Sequence, residues 1–174
     1  MALRNLLHLT GRNNWSREKY EAHFRKLYKA LNEKLFDSSL PEDVNIEVME
    51  GYLYTPKASK QSLAQKRRRR NRCVQYFPYG RRAPNRPQKL YGYNHMGGVG
   101  TIKISLKLAK EAKNSVWQTL VSTLVHEMCH SYALYVHDEL QDNEYGEEFQ
   151  AQCLKMSKYF SVPYTTIYNE AEAL

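Results

Sequence analysis

Sixty consecutive residues, 51–110, contain no aspartate or glutamate at all. The same stretch carries fifteen lysines and arginines, so it must repel itself unless a polyanion or the acidic remainder of the chain lies against it. Long apolar runs are also missing. None approaches the 18 or so residues that span a bilayer, which argues against a membrane protein. Residues 1–14 hold a short apolar patch, but His8 interrupts it and no small-residue cleavage site follows, so no export signal is expected. Cysteine is scarce. Cys73, Cys129 and Cys153 cannot pair into a closed set and none belongs to a CxxC pair, which fits a reducing compartment with Cys129 and Cys153 as small apolar residues on helices.

What is present is ordinary for a globular protein. Hydrophobic residues make up 42% of the 174 and charged residues 25%, which excludes wholesale disorder. That length predicts a single domain over residues 1–174, large enough to hold a core without disulfides. The net charge of +8 is strongly segregated. Residues 1–50 are balanced, and residues 111–174 carry ten acidic and three basic groups. Within the basic tract, Tyr76, Phe77, Tyr79, Tyr91 and Tyr93 are interleaved with Lys66, Arg67, Arg68, Arg69, Arg70, Arg72, Arg81, Arg82 and Arg86. Guanidinium groups neutralise phosphates while aromatic faces stack on unpaired bases, so these basic residues are candidate DNA contacts. A solvated loop is the plainer alternative. The run 66–70 also has the composition of a nuclear import signal.

Periodicity supplies the rest of the framework. Ser16 is placed to cap a helix in which Tyr20, Phe24, Leu27, Leu31 and Leu35 form one stripe. Val44, Ile46 and Val48 alternate as a half-buried strand. Residues 73–79, 89–93 and 101–105 read as further strands, with a Pro-rich turn over 81–87, and residues 106–113 as a short helix. Val116, Leu120, Leu124 and Met128 recur every fourth residue in a long helix, and Phe149, Cys153, Met156 and Phe160 share one face of a last one. Together these predict an α+β arrangement with a basic insertion at about 55–95.

Residues 126–130 read His-Glu-Met-Cys-His. On a helix, positions four apart project from one face about 6 Å apart along the axis, so His126 and His130 can meet one ion at about 2.0–2.1 Å each. Glu127 is placed to take a proton from water activated by that ion. A chance match on a packed helix is the bland reading. Against it, His-Glu-His is costly to bury in so apolar a helix unless something binds it.

A catalytic zinc site usually has three protein ligands. His137 lies on the same face as His130 but about 10.5 Å further along, out of reach. The first break falls at 141–143, so the third ligand is expected among Asp142, Glu144, Tyr145, Glu147 and Glu148. Cys73 and His95 are too few for a second zinc site in the basic tract.

Taken in order, LNEKLFDSSLP, VNIEV, TIKIS, TLVSTLVHEMCHSY and YGEEF resemble the SprT-like domain of Spartan-type zinc metalloproteases, which cleave proteins crosslinked to DNA. The resemblance implies a zincin-like single domain with a small mixed or antiparallel sheet and an HExxH active-site helix. It also implies a Zn2+ ion on His126 and His130, Glu127 as general acid and base, and DNA-stimulated hydrolysis of DNA-bound or crosslinked proteins in the nucleus. The DNA would be single-stranded or a junction of single and double strands. Such domains take the third ligand from His-Gly-x-x-Phe, whereas this chain has Tyr145-Gly146-Glu147-Glu148-Phe149. Three readings stay open: Tyr145 binds as phenolate, Glu144 or Glu148 binds instead, or the site is degenerate and the chain only holds DNA. By analogy with zincins, the strand at 101–105 is expected to be an edge to which substrate adds.

Overall fold

The computed structural model describes residues 15–54, 89–90, 92–95, 100–112, 115–137 and 146–168. The strand expected at 73–79, the turn at 81–87, the break at 141–143 and the basic residues from Lys66 to Arg86 lie outside these.

Helix α1 (Arg17–Leu35) begins where the side chain of Ser16 accepts a hydrogen bond from the Lys19 N–H. It buries Tyr20, Phe24, Leu27, Leu31 and Leu35, the stripe read from the sequence, together with Tyr28 and Asn32. Asn32 behaves like a piece of backbone. Its amide donates to the Leu40 carbonyl at 2.9 Å and accepts from the Leu40 N–H at 3.1 Å, satisfying both buried groups of the returning chain. Asp37 and Ser38, both at positive φ, make the reversal.

Strand β1 (Asn45–Met49) runs parallel to β5 (Thr101–Ser105), with Ile46 opposite Ile102 and Val48 opposite Ile104. These four side chains are buried on one face, as a period of two requires. Strand β4 (Gly92–His95) pairs antiparallel with the other side of β5, giving the order β1-β5-β4. The tract read as one strand over 89–93 is therefore two. Its first half, β3 (Lys89–Leu90), pairs with β2 (Leu53–Tyr54) in a separate two-stranded sheet. Strand β5 is also central rather than an edge, because β4 covers its outer side. Among the described residues the edges of this sheet are β1 and β4. That of β1 is closed by α1, where Glu21 Oε1 accepts from the Val48 N–H at 3.0 Å and from Arg17 Nε at 2.8 Å.

Ser105 ends β5 and caps α2 (Leu106–Glu111), accepting from the Leu108 N–H at 3.1 Å. Helix α3 (Val116–His137) is buried over most of its surface. Its Trp117 stacks on Phe24 of α1, centroids 5.4 Å apart and planes 4° from parallel. Helix α4 (Glu147–Phe160) buries Phe149, Cys153, Met156 and Phe160. It is tied to α1 by Lys155 Nζ, which donates to the Leu35 carbonyl at 2.9 Å. A short α5 (Tyr164–Tyr168), for which the hydrophobic periodicity offered no signal, returns over α3 and buries Ile167. The described residues thus form an α+β arrangement around one hydrophobic core. No helix among them is long and apolar enough to cross a membrane.

Candidate metal centre

The His-Glu-Met-Cys-His segment lies in the middle of α3, facing the packed interior. His126 and Glu127 are each 4% exposed and His130 7%. His126 Nδ1 lies 2.8 Å from the backbone carbonyl of Ile167 in α5. A carbonyl oxygen can only accept, so Nδ1 carries the hydrogen and the Nε2 lone pair points away. It points at His130, whose Nε2 is 3.1 Å away, with the rings nearly perpendicular at 80°. Two nitrogens about 2.0–2.1 Å from one tetrahedral ion are separated by about 3.3 Å. The pair is therefore already near the spacing that a shared zinc requires, and imidazole nitrogen is a donor that zinc favours.

Two neighbours support this turn of α3. Phe149 of α4 stacks on His130, centroids 4.1 Å apart and planes 14° from parallel, and meets His126 edge-on at 5.3 Å. Asn94 of β4 is the other, a residue that sequence reasoning passed over. Its buried amide donates to the Glu127 carbonyl at 2.9 Å and to Ser131 Oγ at 2.8 Å, while Ser131 Oγ donates to the same carbonyl at 3.1 Å. The edge strand is thereby strapped to the turn of α3 that carries Glu127. The available signal was an asparagine within a strand, a residue type that strands disfavour.

The SprT-like family matches residues 24–169, an interval that runs from α1 through α5 and contains every residue of this centre. The chain belongs to the SprT-like family. Its members are generally metalloprotease-type domains. No curated protein matches the chain.

Of the SprT-like site residues expected from sequence, the structure brings His126, Glu127 and His130 onto one buried turn. Tyr145, the residue beside Gly146 at the N-cap of α4, lies outside the described residues, as do Glu144 and Asp142. Glu147 and Glu148 occupy the first turn of α4, where the helix dipole favours carboxylates. Glu148 Oε2 is 3.6 Å from Nε2 of His137, the histidine judged too far along α3 to join the site. Among the described residues no three His, Cys, Asp or Glu side chains converge as a ligand set. Cys129 and Cys153 are buried free thiols, as expected of small apolar residues.

Burial pulls the His126 imidazole from its ordinary 6.5 down to about 4, with the Ile167 hydrogen bond acting in the opposite direction. The unfolded chain protonates this group near pH 6.5, so between about pH 6.5 and 4 it binds more protons than the folded one. Stability of the metal-free protein should therefore fall as the pH drops through that window, by about 3 kcal/mol in all. Urea unfolding in the presence of a chelator measures it. The decline should flatten in His126→Asn, and an unchanged slope in that variant would remove His126 as its source.

Proposed function

We propose that the chain is a zinc-dependent endopeptidase with a zincin-like active site, acting on proteins bound or crosslinked to DNA and stimulated by that DNA. The observation that carries the peptidase reading is the 3.1 Å approach of two imidazole nitrogens beside a buried glutamate on one helical turn. Bound zinc would polarise the scissile carbonyl and lower the pKa of the attacking water toward about 7. His126 and His130 would hold the ion, with Tyr145 as the third ligand or Glu144 or Glu148 in its place. Glu127 would accept the proton of the attacking water and deliver it to the leaving amine, which then departs as a neutral group.

The chain's own geometry supports a place for the substrate. Among the described residues β4 is an outer strand of the three-stranded sheet. Asn94 ties this strand to Glu127, so a substrate peptide lying along it would run beside the general base.

The basic tract would hold DNA and confine cleavage to protein on or near it. Replacing Arg67, Arg68, Arg69 and Arg70 with alanine should reduce the salt slope of DNA affinity by about 2.8 on single strands and about 3.6 on duplex, at roughly 0.7 or 0.9 per lost phosphate contact. It should also remove DNA stimulation of cleavage while sparing zinc content. Cleavage independent of DNA and insensitive to salt in the unaltered protein would defeat the coupling. A nuclear location follows from the same run read as an import signal.

One observation favours a second reading. Tyrosine stands at 145 where SprT-like domains of the Spartan type carry histidine, which is what a DNA-binding module with a relic active site would show. Indistinguishable processing of protein–DNA crosslinks by Glu127→Gln and the unaltered protein would favour this module.

A further inference from the structure

We infer that α5 is an outer wall of the metal centre whose docking and zinc binding are coupled, each strengthening the other. The inference rests on the proposal that His126 and His130 hold zinc. Two observations place α5 against His126 directly and against His130 through Phe149. The Ile167 carbonyl accepts the hydrogen of His126 Nδ1 at 2.8 Å. On the other side Tyr168 packs on Phe149, centroids 5.9 Å apart, and Phe149 is the ring stacked on His130. Tyr164 stacks on Tyr168 at 4.9 Å, one turn away on the same face of α5, and both half-buried rings pack against the core.

The chemistry of the histidine makes the coupling reciprocal. A metal-bound imidazole becomes a stronger N–H donor, and a fixed acceptor on its far nitrogen holds the tautomer that offers a lone pair to the ion. Loss of the Ile167 carbonyl would free the ring to take the other tautomer and to turn away from His130. By linkage, an ion that binds more tightly when α5 is docked must hold α5 down by the same factor. Anything that lifts residues 164–168 from α3 would then loosen the metal without touching a ligand.

Two measurements on the full chain test this. Zinc dissociation constants from competition with a chromophoric chelator should rise about 10–100-fold in Ile167→Ala and in Tyr168→Ala. Neither side chain is a ligand. The amides of residues 164–168 should exchange with solvent at least tenfold faster after chelation, while those of α1 stay unchanged as the control for global stability. Zinc affinity within twofold of the original in both variants, or exchange at 164–168 indifferent to zinc, would overturn the coupling. A folded, unaltered protein unable to bind zinc would instead overturn the metal centre itself, and the coupling with it.

Discussion

Replacing Glu127 with glutamine is expected to lower peptidase turnover by about 10²–10⁴-fold, the range a positioned general acid–base supplies. Zinc content should stay at the level of the unaltered protein. The side chain is nearly isosteric and sits at 4% exposure on a helix packed from several sides, so glutamine can take its place without repacking. The backbone carbonyl of residue 127 keeps its bonds from Asn94 and Ser131 whatever the side chain. What disappears is the group able to take a proton from water and return it to the leaving amine. The readout is single-turnover cleavage of a protein–DNA crosslink, with metal analysis of the same preparation. Lost zinc would mean the variant had damaged the site rather than its chemistry.

Phe149→Ala should cost about 3–5 kcal/mol of stability and loosen zinc as well. Phe149 is fully buried, so its removal leaves a cavity between α3, α4 and α5. The same ring lies flat on His130 and edge-on to His126, so both imidazoles gain freedom where it had held them. Phe160→Ala on the same helix face should show a comparable stability loss from a similarly buried ring, with less effect on zinc. Urea unfolding and zinc competition together separate the two effects. Equal zinc affinity in the Phe149 and Phe160 variants would remove Phe149 from the support of the centre.

Much of this architecture was legible from periodicity. Helix α1 buries the stripe read at Tyr20, Phe24, Leu27, Leu31 and Leu35, β5 spans the five residues expected, and α4 starts beside Gly146 and buries the predicted face. Each is a local pattern, repeated often enough to identify one element without reference to another. The two histidines were legible for the same reason, since residues four apart share a helix face.

What escaped is non-local. Strand β5 was expected at an edge, yet pairing order depends on which distant strands meet, and β4 closes its outer side. The tract over 89–93 read as one strand because its composition does not show that the chain leaves one sheet for another between Leu90 and Gly92. The acceptor for His126 is a main-chain carbonyl in a five-residue helix, and a carbonyl has no side-chain signature. Asn94 is a lone polar residue whose partners lie 33 and 37 positions away. The supports of the centre are tertiary, whereas its two histidines are a helical repeat.

Metal analysis of protein purified without added metal tests the central claim most directly, run beside His126→Ala, His130→Ala and Tyr145→Phe. The unaltered chain should hold close to one zinc per molecule and each alanine variant almost none, with Tyr145→Phe deciding whether the phenolate is a ligand. A well-folded unaltered chain that retains no zinc, and takes none up when it is supplied, would contradict the claim.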